Sequence, residues 1–411
     1  MGHPPRIAVA LAVVFAGLLG RAAIDKILAL RAGPESVALW AQLQSIVDLV
    51  IGVTMAGVGQ GLTVLVAQAT AEGVQRQLMR AALASGLAVS AVAALVLALG
   101  SGPLSTWVSA GVVAPGLIAF AAAAGCAAVV PGLLTAYWLG RARRDRILWL
   151  NTATMLTMAG AAYFAAPDAI AQGVLAAQAV TALVASAGLY AWLRRPVGVG
   201  GTGAEVTRLR RYLVAGLSIG ILSPVAMLIA RSTLAGALSW DEAGIVQALW
   251  RSSEWVTAIA AGMLWMVALP RFSASWGSER FVPELARVAS VALSVSALLL
   301  LLLWVNQAAV LETLYDKRFT IPDRTAALFL FGDWLRIGSW VFLYALFAMQ
   351  RSGSIAVGEL LSIPSYAVLL ISYRDGLGVE RAGLLYCVSY AAYFAFNAAT
   401  VLRAGSRSAG S

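Results

Sequence analysis

Five basic side chains, Arg21, Lys26, Arg231, Arg251 and Arg336, lie inside stretches that otherwise read as membrane-spanning helices. Hydrocarbon tolerates charge badly, and an Arg or Lys at the centre of a span costs roughly 2.5–3.5 kcal/mol on insertion scales. A chain that keeps several of them turns them toward an internal cavity, where acids, water or an anionic ligand meet them. Carboxylates accompany the bases: Asp25, Asp48, Glu254, Asp333 and Glu359. Arg21 and Asp25 share a helix face at i,i+4, with Lys26 about a quarter-turn away. Gln247, Arg251 and Glu254 make a polar stripe, and Asp333 and Arg336 stand i,i+3. The chemistry these types suggest is a path for negative charge, with Arg21, Lys26, Arg231 and Arg251 as anion ligands. Asp25, Asp48 and Glu254 are then the candidates for ion coupling or gating. Asp48 has no base one turn away, which makes it the preferred titrating carboxylate. The bland alternative is a set of salt bridges that hold the helices together.

The elements that must position these residues follow from composition. The 411 residues are 61% hydrophobic and 12% charged, against about 25% charge in a soluble domain. Apolar segments of about 20 residues recur along the chain, near 6–30, 36–66, 80–99, 112–138, 146–165, 168–193, 212–236, 243–269, 287–305, 326–349, 353–373 and 380–402. The expected fold is all-α, a polytopic membrane protein of about twelve transmembrane helices in two six-helix bundles around a central cavity. The basic, glycine-rich stretch LRRPVGVGGTGAEVTRLRR divides it into an N-terminal bundle (1–195), a cytoplasmic linker (196–211) and a C-terminal bundle (212–411).

Net charge is +10, but its distribution argues against nucleic acid as a partner. Alternate connections carry the excess: Arg76 and Arg80; Arg141, Arg143, Arg144 and Arg146; Arg194, Arg195, Arg208, Arg210 and Arg211. Arg271, Arg280, Arg287 and Arg351 continue the set, with Arg6, Arg403 and Arg407 near the termini. The positive-inside rule then places both termini in the cytoplasm, and makes anionic inner-leaflet lipid the partner of that charge. By this topology Arg21, Asp48, Arg251 and Glu254 lie about 10–18 Å in from the external ends of their helices. Cys126 and Cys387 fall inside spans and read as buried reduced thiols. An enzyme is poorly supported: His3 is the single histidine, there is no metal-ligand spacing, and no cofactor or metal is expected.

Shifting the first half by 206 positions pairs Glu35 with Asp241 and Asp48 with Glu254. In both halves an acidic turn opens a long helix that carries a deep carboxylate. Six spans per half makes such repeats parallel, the arrangement that encloses a central path in many transporters. The glycines Gly57, Gly59 and Gly61 lie within a helix and read as close packing rather than a phosphate loop. Pro131, Pro224 and Pro364 are expected to bend their spans. Trp250, Trp255 and Trp265 read as packing or interfacial residues in preference to sugar-stacking ones.

Residues 20–68 also carry a resemblance. Their elements are a charged first helix, then G-P-E-x-V-A-L-W-A-Q-L-Q at 33–44, then A-G-V-G-Q-G-L-T-V-L-V-A-Q at 56–68. This stretch, about an eighth of the chain, resembles the N-terminal region of Wzx-type flippases for lipid-linked oligosaccharides, the O-antigen and lipid III flippases among them. The resemblance implies the multidrug/oligosaccharidyl-lipid/polysaccharide (MOP) exporter superfamily. It further implies alternating access in a bacterial inner membrane, moving an undecaprenyl-pyrophosphate-linked oligosaccharide from the cytoplasmic to the periplasmic leaflet for O-antigen or other surface polysaccharide. Arg21, Lys26, Arg231 and Arg251 are the positions that would form its cationic cavity. Partners would be the lipid-linked oligosaccharide and membrane lipids, with a polysaccharide polymerase and chain-length proteins as candidates. The second half carries no comparable motif. Two other classes stand beside this one: a cation-coupled multidrug exporter of the same superfamily, and a non-transport membrane enzyme or subunit of a polysaccharide assembly complex.

Overall fold

A computed structural model describes residues 4–69, 71–109, 111–194 and 203–408. The described residues are almost entirely helical, with no strand among them. The chain opens with α1 (Pro4–Thr54), passes through a π-helical turn (Met55–Gly59) and continues as α2 (Gln60–Gln68). It goes on through α3 (Glu72–Leu99), α4 (Ser101–Ser109), α5 (Pro115–Gly140), α6 (Arg144–Phe164), α7 (Ile170–Leu193) and α8 (Gly203–Ala237). Then follow α9 (Trp240–Met263), α10 (Leu269–Ser275), α11 (Phe281–Val305) and α12 (Gln307–Leu314). The last four are α13 (Asp323–Ala348), α14 (Ser352–Leu360), α15 (Ile363–Ser372) and α16 (Val379–Ser408).

Nine helical stretches among the described residues are long and apolar enough to cross a membrane. The first, Ala12–Gln68, is 57 residues long, about 85 Å of helix at 1.5 Å per residue, too long for one crossing of a ~30 Å core. It is broken at Gly33, whose φ of 84° only glycine adopts cheaply, with Pro34 behind it. The G-P pair thus makes two spans of one stretch. The other two expected spans are α6 and α9, whose Asn, Thr, Gln, Arg and Glu residues leave them more polar than the nine. With the Gly33 break counted, the nine stretches cover ten of the twelve expected spans, and α6 and α9 lie where the other two were expected. Exposed apolar side chains fit the same reading. On α11, Val291, Val295, Leu298 and Leu302 form an outward stripe at helical spacing, which lipid accommodates and water would not.

The chain divides into two compact units, 1–228 and 229–411. The expected linker at 196–211 lies partly outside the described residues, and by Gly203 the chain is already helical. In the first unit, α5 is the central element, packed on α1, α2, α3, α4, α6 and α7. Its core joins Val58 and Leu62 to Leu78, Met79, Val129, Leu133 and Tyr137. Small residues let the backbones approach: the Thr63 hydroxyl donates to the Ala136 carbonyl at 3.1 Å, and a Cβ on Gly140 would stand 2.7 Å from the Thr63 carbonyl. Gly57, Gly59 and Gly61 are buried, as close packing requires.

In the second unit, α13 and α16 form the central pair, flanked by α9, α11, α14 and α15. The Tyr386 ring sits over Gly332, and the Phe394 ring lies 2.7 Å from where a Cβ on Gly338 would stand. Span 353–373 departs from the single bent helix expected of it. The helix stops at Leu360 and restarts at Ile363, with Pro364 in the first turn of the new segment, where its missing N–H costs nothing. Short helices, α4 and α12, lie in two of the connections between the spans.

Candidate functional site

In the first unit the charged residues of α1 divide by face. Asp25 is buried at 2% exposure, Lys26 is half-buried, and Arg21 is exposed. Two turns further on, Arg31 donates to the Ala162 and Tyr163 carbonyls at 3.1 and 2.7 Å. It thereby satisfies carbonyls that the C-terminal end of α6 leaves open. Asp48 is exposed, so its carboxylate is not a buried group. One turn before it, the buried Gln44 Nε2 has no acceptor. One turn after it, Gly52 lies against Gly220 of α8.

In the second unit, α9 begins at a capping box. The Glu242 N–H donates to Ser239 Oγ at 3.1 Å, and the Ser239 N–H donates to Glu242 Oε2 at 3.0 Å. This fixes the start of the helix and so the heading of everything on it. Three turns along, Arg251 donates to Glu254 Oε2 at 2.9 Å, both half-buried. Ser253, on the adjoining face, donates to Asp333 Oδ2 of α13 at 2.6 Å. The Tyr386 hydroxyl of α16 donates to the other oxygen, Oδ1, at 2.7 Å. Asp333 is 1% exposed; these two donors satisfy its oxygens, and Arg336 Nη1 lies 3.8 Å away. Arg336 lies 4.7 Å over the Trp340 ring and 5.8 Å from that of Tyr390, its guanidinium against aromatic faces. Glu359 of α14 is half-buried and accepts from the Tyr393 hydroxyl at 2.7 Å. Trp250 packs edge-on to Phe329 and Tyr366, the packing role rather than a sugar platform. Arg231, on α8, is half-buried.

The structure therefore brings Arg251 and Glu254 together; before the Gly33 break it buries Asp25 and exposes Arg21, and beyond the break it exposes Asp48. The sequence reading missed the partners in the second unit: Ser253, Tyr386, Tyr390, Tyr393 and Asn397. Four of these recur on α16 at i, i+4, i+7 and i+11, one polar-aromatic face of an apolar helix, and that spacing was the available signal. Among the described residues, no group of three or more His, Cys, Asp or Glu side chains is placed to hold a metal.

Apolar helices that keep charged residues such as Asp25 and Asp333 in their interior mark a candidate functional site within a membrane protein. The chain has the fold of the MOP superfamily. It matches an inward-facing MATE-family multidrug resistance transporter of that superfamily with a TM-score of 0.70 at 12% identity, over 96% of this chain and 98% of that one. A MOP superfamily transporter from Pyrococcus furiosus matches with a TM-score of 0.60 at 13% identity, over 97% and 96%. In sequence, the chain is 25% identical to the lipid III flippase of Escherichia coli K12 over 397 residues, 92% of each chain. The Shigella flexneri lipid III flippase matches equally. No family model matches the chain. The chain is thus similar in sequence to lipid III flippases and in fold to transporters of the MOP superfamily, a multi-pass helical membrane architecture.

Proposed function

We propose that the chain flips an undecaprenyl-pyrophosphate-linked oligosaccharide from the cytoplasmic to the periplasmic leaflet of a bacterial inner membrane, for O-antigen or another surface polysaccharide. The observation that carries this reading is the relationship to lipid III flippases along 92% of the chain, which takes in both halves. The intramembrane bases agree with it, since a pyrophosphate crossing hydrocarbon needs cationic company. Arg21, Lys26, Arg231 and Arg251 bind the pyrophosphate, and Asp25, Asp48 and Glu254 serve coupling or gating. The halves 1–195 and 212–411 act as the two repeats of an alternating-access cycle, joined by the 196–211 linker. Both termini are cytoplasmic, because the loops that alternate with the poor ones carry the arginines.

Deleting the gene tests the reading. Complete lipid-linked repeat units should accumulate on the cytoplasmic face while surface glycan disappears. Accumulation of incomplete units would instead point to an enzyme of assembly, and unchanged lipid-linked units with altered drug susceptibility would point to a drug exporter.

A further inference from the structure

The corner that joins α5 to α6 is built twice in this chain. In the first unit α5 ends on a left-handed Ala142 (φ 55°). The Ala142 N–H donates to the Leu139 carbonyl at 3.0 Å and the Arg143 N–H to the Trp138 carbonyl at 2.8 Å. In the second unit α13, also 26 residues long, ends on a left-handed Gln350 (φ 56°). There the Gln350 N–H donates to the Phe347 carbonyl at 3.0 Å and the Arg351 N–H to the Leu346 carbonyl at 3.1 Å. The next helix begins alike in both, from Arg143 at φ −89°, ψ 64° and from Arg351 at φ −88°, ψ 66°. The second corner therefore shows what the turn itself requires, which is one arginine at most. Arg141, Arg144 and Arg146 stand where the second unit has Met349, Ser352 and Ser354. The turn does not explain these three bases.

Neighbouring helices hold Arg141 and bring a second arginine to it. Arg141 Nη1 donates to the hydroxyl of the buried Tyr137 at 3.1 Å, and the Tyr137 ring lies 5.3 Å from that of Trp192, near the end of α7. Arg76 of α3 is itself buried, 4.9 Å over the Trp192 ring, with Glu72 Oε1 at 2.7 Å. One turn along α3, Arg80 Nη2 donates to the carbonyl of Leu193, the residue after Trp192, at 2.6 Å. Arg80 and Arg141 are thus tied to one aromatic corner, one through the Leu193 carbonyl and the other through the Tyr137 hydroxyl. Each tie uses one nitrogen of a guanidinium that has five N–H donors. Among the described residues no carboxylate is ion-paired with either arginine; Glu72 holds Arg76 and Asp145 holds Arg143. The surrounding side chains set the level in the membrane. Arg194 lies 4.5 Å over the ring of Tyr190, which is 56% exposed, and Trp149 of α6 is 76% exposed. Amphipathic rings on the outside of a spanning bundle mark the depth of the lipid headgroups.

We propose that Arg80 and Arg141 form a docking site for the pyrophosphate of a lipid-linked substrate at the cytoplasmic surface of the first unit, separate from Arg21, Lys26, Arg231 and Arg251. Each guanidinium presents paired N–H groups in a plane, which suits two phosphoryl groups taken one apiece. A phosphodiester headgroup offers the same pair a single charge. Because both arginines are already held by Tyr137 and Leu193, little side-chain freedom is lost when the anion arrives. The site gathers the headgroup in the leaflet from which the lipid is taken, before it enters the bundle. The cytoplasmic placement and the identity of the lipid rest on the flipping reading, whereas the phosphate site does not.

Phenylglyoxal labelling of the purified full-length protein, mapped arginine by arginine by mass spectrometry, tests the site. Farnesyl pyrophosphate should protect Arg80 and Arg141 together and leave Arg144 and Arg146 reactive. Dihexanoyl phosphatidylglycerol should need about ten-fold more to protect the same pair. Equal protection by the two probes makes this an ordinary headgroup site and overturns the pyrophosphate assignment. Arg141→Met, which the matching Met349 shows the turn to tolerate, should raise the farnesyl pyrophosphate needed to protect Arg80 by about ten-fold. Arg146→Gln removes the same charge from the same corner and should leave that protection unchanged. Equal weakening by the two variants means a diffuse field of positive charge and overturns the site. In cells, Arg141→Met should lower surface glycan several-fold at equal protein level, and normal glycan in that strain overturns the part of the site in flipping. Unchanged lipid-linked units in the deletion strain overturn the flipping reading instead.

Discussion

Arg251 donates to Glu254 Oε2 at 2.9 Å, three residues along the same helix, so the base best placed by its sequence to meet an anion already holds a carboxylate. A half-buried i,i+3 pair of this kind contributes only about 0.5 kcal/mol to stability. Loss of the pair should therefore leave the fold intact. Arg251→Gln and Glu254→Gln should each unfold within about 0.5 kcal/mol of the wild type in detergent, yet Arg251→Gln should abolish glycan display in cells. The exchanged pair Arg251→Glu with Glu254→Arg restores a salt bridge but moves the positive charge by nearly a turn. Glycan display should stay lost in it; full recovery would make the pair structural and remove Arg251 from the proposed ligands.

Asp333 is the opposite case. It is buried, and both oxygens are held by hydroxyls from other helices, α9 and α16. Tyr386→Phe removes one charge-assisted hydrogen bond and should cost about 1.5–3 kcal/mol. Asp333→Ala leaves Arg336 without its carboxylate and should cost more, about 3–5 kcal/mol. Thermal unfolding of the purified variants orders them. If Asp333→Ala proved as stable as Tyr386→Phe, the cluster would not be the tie between α9, α13 and α16 that its geometry describes.

How much of this was legible in the sequence follows from what each feature depends on. The spans were legible because length and apolarity alone make them, and the bend at Gly33 because G-P at that point leaves the backbone little choice. The break between α14 and α15 was read as a kink at Pro364, since a proline marks a boundary without saying on which side the helix ends. Charged positions were legible one by one, because a charge in an apolar run stands out. Their surroundings were not. Which way α1 turns Asp25 and Asp48, on either side of its Gly33 break, is decided by the helices it packs on, and one is buried while the other is exposed. The hydroxyls that hold Asp333 come from 80 residues before it and 53 after it, a distance that only tertiary packing spans.

Arg21 and Arg31 sit on the same helix and do different work. Arg31 spends its guanidinium on the Ala162 and Tyr163 carbonyls at the end of α6, a helix cap worth about 1 kcal/mol. Arg21 is exposed and is one of the proposed pyrophosphate ligands. Arg31→Gln should accordingly lower thermal stability and reduce glycan display only in proportion to the protein lost. Arg21→Gln should leave the unfolding temperature unchanged and abolish display. An Arg21→Gln strain with normal surface glycan would take Arg21 out of the site.

Gly52 of α1 and Gly220 of α8 meet backbone to backbone, one turn along from Asp48. A Cβ on Gly52 would stand 2.8 Å from the Gly220 carbonyl oxygen and 3.4 Å from Pro224 Cγ, and a Cβ on Gly220 would overlap the Gly52 carbonyl. A carbonyl within a helix cannot swing aside as a side chain can, so the two helices must part. Overpacking of this kind costs about 1–3 kcal/mol. Gly160, on α6, has nothing within 4 Å of its added Cβ. Alanine there should be neutral or stabilise by up to about 1 kcal/mol, from helix propensity alone. The paired measurement separates the crossing from propensity: Gly52→Ala and Gly220→Ala should lower the unfolding temperature while Gly160→Ala holds or raises it. Because the crossing adjoins Asp48, a Gly52→Ala chain should also show faster thiol labelling of an introduced Asp48→Cys than the Gly52 parent. Equal stability of Gly52→Ala and Gly160→Ala, with no change in labelling, would mean that α1 and α8 do not hold this contact in the membrane.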